Sequence, residues 1–220
     1  VSDMGPGTAT AMVKIAANAM QMPAGKIRFM LGDTDFPPGP TQGGSTTTST
    51  LGNGVSMVCD ALKKNLKELA IANLDGLRSH TLEDLDIING ELLSRLEASQ
   101  KISLADLLKN TGKEQVEVIQ ESGRATAEAA KYAMNSFSAH FVKIHVDPST
   151  GAIQLKQIVA TGDGGKIINE KTARSQMIGG AVGGIGMALT EELLVDHSTG
   201  KYINDNLGSY NVPRHTNVPH

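Results

Sequence analysis

The sequence has little cysteine, no excess of basic residues and no long apolar run. Cys59 is the only cysteine among 220 residues, which excludes an internal disulfide and a zinc or iron–sulfur site built from cysteines. Redox chemistry would therefore have to come from a bound cofactor. Because 20 lysine and arginine residues face 23 aspartate and glutamate residues, the net charge is −3, which argues against nucleic acid as the main partner.

The longest apolar run, residues 177–189, contains 13 residues, of which five are glycine. This run is too short to cross a bilayer core of about 30 Å, so we expect no membrane span. The chain begins at Val1 with neither an initiator methionine nor a signal peptide, and it stops just after a strand-like stretch. These ends lead us to expect a piece of a larger protein.

Apolar residues at helical spacing predict three long helices and one short helix. The predicted helices cover Thr8–Met20, the segment after Gly44 as far as Leu69, residues 103–110 and about 171–194. Thr8 is the expected N-cap of the first helix. Prolines at three positions make residues 32–42 a predicted loop.

Alternating apolar and polar residues predict the strands. They are a short strand over 27–31, a hairpin around Asn89-Gly90, a long antiparallel pair over Phe137–Val146 and 152–161, and a hairpin around 197–200. Strands grouped with long helices, rather than in strict alternation with them, favour an α+β architecture. We therefore expect antiparallel or mixed sheets packed with long helices.

Two turns that contain glycine stand directly before the first two long helices. The first turn holds Gly5, Pro6, Gly7 and Thr8, and the second holds Gly43, Gly44, Ser45 and Thr47. A helix N-terminus presents unpaired N–H groups and about half a positive charge, so it attracts anions, above all phosphate. The alternative is that each turn only caps its helix. Neither turn is a Walker A loop or a G-x-G-x-x-G fingerprint.

Five glycines lie in the last predicted helix, where each costs about 1 kcal/mol relative to alanine. They would give the helix a flat face for a sheet, another helix or a flat cofactor, and helix-on-sheet packing is the simpler interpretation. Gln176 stands just before them, and its amide could bind the edge of a heterocycle. Cys59 is expected to be a small core residue. His140 and His145 should point to opposite faces of a strand, so we expect no shared metal.

Six ordered segments carry a resemblance to a known family. They are DMGPGT (3–8), LGDTD (31–35), GGSTT (43–47), ATGDGGKIIN (160–169), QMIGG (176–180) and GMALTEE (186–192). The chain resembles the C-terminal molybdopterin-binding domain of the xanthine dehydrogenase and aldehyde oxidase family, in its bacterial separate-subunit form. The likeness runs nearly end to end and is weakest between about 80 and 126.

The resemblance implies a set of residues that bind the molybdopterin cofactor. The first turn would contact the pterin or its phosphate, the second would pass beside the metal and phosphate, and Gln176 would bind the pterin edge. Relatives commonly have glutamine where this chain has Pro6, which leaves the backbone of Gly7 and Thr8 to bind. In this family the dithiolene sulfurs of the cofactor hold the metal, so no protein metal ligand is expected. The cofactor-binding core would comprise 1–75 and 126–220, with 76–125 as a smaller insertion of strands and a helix.

The resemblance also implies a reaction, which is oxidation of an aldehyde or an N-heterocycle with water as the oxygen source. The family's general base is a glutamate in a Gly-Glu-Pro motif, and this sequence contains no such motif. We therefore expect no catalytic residue in the chain and no activity from the chain alone.

The implied partners are the rest of the large subunit, an iron–sulfur subunit and an FAD subunit. The cofactor would be molybdopterin with or without an added cytosine nucleotide. The expected compartment is the cytoplasm, with the periplasm as the alternative. Two other functions remain open: a non-catalytic scaffold derived from the family, which Pro6 favours, and an unrelated phosphate or nucleotide binder, which the absence of a nearby lysine disfavours.

Overall fold

The computed structural model describes residues 1–121, 131–133 and 135–219. These residues form two units, Val1–Ala133 and Met134–His220. Helices and antiparallel sheets occur in both units, so the predicted α+β class is confirmed. In chain order the elements are α1 Thr8–Met20, α2 Thr47–Asn73, β1 Leu85–Ile88, β2 Glu91–Ser94, β3 Lys101–Ser103, α3 Leu104–Asn110, β4 Phe137–Val146, β5 Ile153–Asp163, α4 Glu170–Ile185, β6 Val195–Asp196 and β7 Lys201–Tyr202.

The helices α1 and α2 pack against each other through small and sulfur-containing side chains. Ala16 and Met20 of α1 form one buried cluster with Cys59 of α2. At Gly52 a Cβ atom would lie 2.7 Å from the Cδ1 atom of Ile15, so glycine lets the two helices approach closely. The Nζ atom of Lys63 donates to the Ala19 carbonyl at 3.0 Å, which places a positive charge at the C-terminal end of α1. Both predicted helices are confirmed.

A three-stranded antiparallel sheet, β1–β2–β3, covers the C-terminal half of α2. The turn between β1 and β2 has Asn89 at φ 52° and Gly90 at φ 82°, the backbone of a type I′ turn. Leu85, Ile87 and Leu92 of this sheet are at most 1% exposed. Ser103 accepts a hydrogen bond from the Asp106 amide at 3.0 Å and caps α3. The predicted hairpin and short helix are therefore confirmed.

The strand predicted over 27–31 is wrong. The alternation itself is real, because Ile27, Phe29 and Leu31 are half-buried while Arg28 and Met30 are exposed. No described segment pairs with these residues through a backbone ladder, and the chain runs there without regular structure. Alternating burial needs a hydrogen-bonded neighbour to become a strand, and the sequence pattern does not report one.

The second unit is built on one long hairpin. Strands β4 and β5 pair antiparallel from Phe137 opposite Asp163 to Val146 opposite Ile153, with a bulge at Lys143/Ile144. The short strands β6 and β7 form a second hairpin. Both predicted hairpins are confirmed. Among the described residues of this unit, Ile185 is the one buried hydrophobic side chain.

The last helix is shorter than the predicted span of about 171–194. The α-helix ends at Ile185 and continues as a single π-helical turn, Gly186–Thr190, in which the Glu191 amide donates to the Gly186 carbonyl at 2.8 Å. A Cβ atom at Gly186 would collide with the Glu191 side chain, so glycine permits this turn. The buried amide of Asn204 then binds the Leu194 amide and the Glu192 carbonyl, which holds the following residues in an extended conformation.

Candidate functional site

The first glycine turn is capped by a carboxylate that lies outside the helix. Asp3 accepts hydrogen bonds from the Gly5 amide at 2.9 Å and from the Thr8 amide at 3.0 Å. Gly5 has φ 115° and Gly7 has φ 80°, values that favour glycine. The predicted N-cap, Thr8, is wrong: Gly7 is the N-cap residue and Thr8 is the first residue of α1. The capping rule considers the residue next to the helix, and Asp3 acts from four residues before Gly7.

The second glycine turn has two successive residues in the left-handed region. Gly44 has φ 61° and Ser45 has φ 57°, and the Thr46 amide donates to the Gly43 carbonyl at 3.4 Å. For Ser45 this conformation costs about 1–2 kcal/mol, because its Cβ approaches the backbone. The helix α2 begins at Thr47 without a side-chain cap. Such strain is common where the backbone contacts a ligand.

Gln42 connects the two turns. Its Nε2 atom donates to the Thr8 Oγ1 atom at 3.0 Å, although the two residues are 34 positions apart in the sequence. Thr8 is 5% exposed. The other polar atom of the Gln42 amide, Oε1, is also buried and has no partner among the described residues. The structure thus places both predicted turns within reach of one side chain.

Four backbone amides in the two turns are available to a ligand. The N–H groups of Gly7, Gly43, Gly44 and Ser45 have no acceptor among the described residues. No atom lies within 4 Å of the Cβ position at Gly5, Gly7, Gly43 or Gly44, so the space beside each glycine is open. Three of the four free donors are consecutive, an arrangement that binds anions. The second turn therefore offers more donors than the first, where Asp3 already occupies two.

Gln176 lies on α4 in the other unit, and its side chain is exposed. The glycines near it, Gly179, Gly180, Gly183 and Gly184, have no atom within 4 Å of their Cβ positions. This face of α4 is therefore open, and no described side chain fills it. The role of Gln176 in binding a heterocycle stays a prediction.

Cys59 and Tyr210 are two further groups whose pKa is raised in the folded protein. Burial raises the pKa of the Cys59 thiol, and its 7% exposure confirms the predicted core position. The Tyr210 hydroxyl donates to Glu191 at 2.9 Å, a bond that raises the pKa of the tyrosine.

Within the described ranges, no group of three or more His, Cys, Asp and Glu side chains could hold a metal ion. No helix in those ranges combines the length and apolar character needed to cross a membrane.

Asp3 and Gln42 were not among the site residues predicted from the sequence. Asp3 belongs to the DMGPGT segment, and Gln42 immediately precedes Gly43, so each stood beside a predicted residue. Their roles depend on hydrogen bonds that span five and 34 positions. For Gln42, the available signal was its position directly before Gly43 and Gly44.

The described residues form an α+β domain whose two glycine turns are joined by Gln42 and carry backbone N–H groups without acceptors. The chain belongs to the molybdopterin cofactor-binding domain family, whose model matches residues 1–219. The predicted family is thereby confirmed.

Curated relatives align with nearly the whole chain. It is 31% identical to the aldehyde oxidoreductase molybdenum-binding subunit PaoC of Escherichia coli K12, with 100% of the chain and 28% of that protein covered. It is 27% identical to the 6-hydroxypseudooxynicotine dehydrogenase complex subunit gamma of Paenarthrobacter nicotinovorans, with 99% of the chain and 27% of that protein covered. The chain thus spans less than a third of the length of these relatives.

Solved structures share the fold. Cu,Mo-CO dehydrogenase superposes with a TM-score of 0.81 at 21% identity, over 100% of this chain and 27% of that chain. Quinoline 2-oxidoreductase from Pseudomonas putida 86 superposes with a TM-score of 0.77 at 20% identity, over 100% of this chain and 28% of that chain.

Proposed function

We propose that this chain is the molybdopterin-binding part of the large subunit of a molybdenum-dependent oxidoreductase, which oxidises an aldehyde or an N-heterocycle with water as the oxygen source. Family membership supports the cofactor. The names of the relatives, an aldehyde oxidoreductase subunit and a 6-hydroxypseudooxynicotine dehydrogenase subunit, support the reaction class. The reaction belongs to the whole protein, of which this chain would supply the cofactor site.

The linked pair of glycine turns is the observation that carries this proposal. In it, the amides of Gly43, Gly44 and Ser45 bind the phosphate of the cofactor, with the Thr47 hydroxyl beside them. The first turn, Gly5, Pro6, Gly7 and Thr8, lies along the pterin. The Gln176 amide binds the pterin edge. The open space beside the glycines and the three consecutive free amides fit a flat, anionic group.

The Asp3 carboxylate favours binding of the phosphate at the second turn and of the pterin at the first. Its carboxylate occupies the amides of Gly5 and Thr8 and adds a negative charge at the start of α1. A phosphate would be repelled there, so the phosphate belongs at the second turn and the uncharged pterin at the first. Because the Thr8 amide already donates to Asp3, Thr8 contributes through its hydroxyl group, which accepts the hydrogen bond from Gln42.

The bound cofactor supplies the oxygen-transfer and two-electron chemistry through its molybdenum. The residues of this chain bind and orient the cofactor, and none of them is proposed as a catalytic residue. The general base would lie elsewhere in the whole protein. A dithiolene-held metal needs no side-chain ligand from this chain.

The proposed partners are the rest of the large subunit, an iron–sulfur subunit and an FAD subunit. The two reported relatives are named as a "molybdenum-binding subunit" and a "complex subunit gamma", which supports a multi-subunit assembly. We propose a cytoplasmic location and a molybdopterin cofactor with or without an added cytosine nucleotide. Hydrolysis of the extracted cofactor followed by nucleotide chromatography, and fractionation of the source cells, test these two points.

A non-catalytic scaffold is the second candidate function, because Asp3 caps the first turn as a plain helix cap would. In that case the intact complex would contain no molybdenum.

The test is elemental and pterin analysis of the intact complex, with two glycine variants. Gly44 and Gly112 have similar φ values, 61° and 66°, and open space beside them, so Gly44→Ala and Gly112→Ala should destabilise the protein equally. We expect about one molybdenum per wild-type complex and per Gly112→Ala complex, and a reduced content in Gly44→Ala. A wild-type complex free of molybdenum and pterin would refute the proposal in favour of the scaffold.

A further inference from the structure

We propose that Gln42 is a further cofactor-binding residue, which holds the second turn against α1 through Thr8 and binds the pterin edge with its remaining amide atom. This inference rests on the proposed function, since the ligand is the same cofactor. Gln42 lies outside the turn residues 43–47, and its side chain would contact both turns and the cofactor.

The Gln42 side chain lies between the two turns. Gln42 reaches from the loop before α2 to the first residue of α1, where the Thr8 hydroxyl accepts its hydrogen bond at 3.0 Å. Thr8 is buried, so this bond is shielded from water. It fixes the start of the second turn relative to the first, and with it the free amides of Gly43, Gly44 and Ser45.

One atom of the Gln42 amide has no hydrogen-bond partner among the described residues. A glutamine amide has one acceptor oxygen and one donor nitrogen, and their assignment follows the hydrogen-bond network. Whichever way the amide is turned, one atom bonds the Thr8 hydroxyl and the other is left buried without a partner among the described residues. Buried polar groups are almost always satisfied in native proteins. Gln42 directly precedes the turn whose Gly43, Gly44 and Ser45 amides are also without acceptors, so a ligand at that turn would provide the missing partner.

A pterin edge matches the hydrogen-bonding capacity of a glutamine amide. The edge of a pterin carries both N–H donors and acceptor atoms, so it can satisfy either amide orientation. A phosphate accepts hydrogen bonds and donates none in its ionised form, so it would pair with the nitrogen alone. The position of Gln42 between the turns, with Asp3 excluding anions from the first turn, favours the pterin edge.

Gln100 provides a matched control. Its Nε2 atom donates to Glu97 at 2.7 Å, and its Oε1 atom is buried without a partner, the same pattern as in Gln42. Gln100 lies between β2 and β3, outside the two turns. Replacing each glutamine by methionine removes one hydrogen bond and one orphan atom at nearly constant volume, so both variants should affect folding alike.

The experiment measures release of the cofactor from the complete complex, as molybdenum and pterin lost over time at one fixed temperature. We expect Gln42→Met to release cofactor about tenfold faster than the wild type, as loss of one hydrogen bond to the ligand predicts. Gln100→Met should release it at the wild-type rate. Equal release rates from the Gln42→Met and Gln100→Met complexes would overturn the proposal.

A second pair of variants keeps the test decisive if Gln42→Met does not fold. Asparagine keeps the amide but is one methylene shorter, so Gln42→Asn cannot bond Thr8 and the cofactor at once, and Gln100→Asn is its control. We expect Gln42→Asn to release cofactor about tenfold faster than Gln100→Asn, as loss of one hydrogen bond predicts. Equal release rates from these two variants would contradict a cofactor contact. A wild-type complex that holds no cofactor would overturn the proposed function itself, and with it this inference.

Discussion

At the residue scale, two aspartates hold the loops of the two hairpins in the second unit. Asp147 begins the sequence DPSTG and Asp196 begins DHSTG, and each carboxylate accepts hydrogen bonds from the serine two positions later. Hydrogen bonds from Ser149 lower the pKa of Asp147 to about 2, and those from Thr199 and Ser198 lower the pKa of Asp196 to about 2. The same local chemistry thus closes both turns.

These aspartates predict a pH dependence of stability. Because both carboxyl groups titrate below their usual pKa in the folded state, their contribution is complete above about pH 4 and is lost as the pH falls towards 2. We expect the melting temperature of the second unit to fall over this range, and to fall less in the double variant Asp147→Asn, Asp196→Asn. Calorimetric melting between pH 5 and 2 measures the difference. Parallel curves for the two proteins would show that the turns do not contribute.

The positive φ angle of Gly7 gives a second prediction at this scale. At φ 80° an alanine is strained although no atom blocks its Cβ, so Gly7→Ala should lower the free energy of unfolding by about 1–2 kcal/mol. Chemical denaturation of the complete protein measures this change. An unchanged midpoint would mean that the first turn can adopt another conformation.

At the element scale, the exposed glycine face of α4 permits a glycine-to-alanine substitution that stabilises the fold. Gly179 lies inside the helix, and its Cβ position is open. Gly179→Ala should therefore raise the free energy of unfolding of the isolated chain by about 1 kcal/mol, because alanine loses less backbone entropy than glycine. Thermal unfolding followed by circular dichroism measures it. A loss of stability would show that another group packs against this face.

Elements that depend on local periodicity alone were predicted correctly from the sequence. The bounds of α1 and the β4–β5 pair could be read from local periodicity, because Met12, Ala16 and Met20 need only their own helix to form a face. Residues 27–31 alternate in burial yet form no ladder, since pairing depends on a distant segment. The early end of α4 depends on Glu191 and Asn204, which act beyond the helix. Local structure was predictable, and structure fixed by long-range partners was not.

The same division applies to the site. The glycine turns were predictable because helix starts and left-handed glycines have local signatures. Asp3 and Gln42 could not be assigned from the sequence, because their hydrogen bonds to Thr8 exist only once the turns have folded. The variants Gly44→Ala and Gln42→Met test whether the turns bind a cofactor.

At the scale of the whole molecule, the second unit leaves many apolar side chains exposed. Val142, Ile144, Val146 and Ile153 lie on one face of the long hairpin, and each is between 46% and 57% exposed. Soluble proteins rarely expose contiguous apolar patches of this kind. Because the chain spans 28% of the length of its relative PaoC, we expect the rest of the large subunit to cover this face.

This expectation makes the isolated chain differ from the complete protein. The isolated chain should bind a hydrophobic dye such as ANS and self-associate, and it should not oxidise aldehydes or N-heterocycles, since it contains no Gly-Glu-Pro motif. The complete complex should bind little dye and be active. Dye titration and turnover assays on both samples measure this, and turnover by the isolated chain would contradict the account.

The most direct test of the central claim, that the two linked turns hold the cofactor, is an electron cryomicroscopy map of the complete wild-type complex. The account predicts density for a phosphate within about 3 Å of the amides of Gly43, Gly44 and Ser45, with the pterin beside Gln42. Cofactor density bound elsewhere in the complex, with both turns facing only solvent or protein, would contradict it.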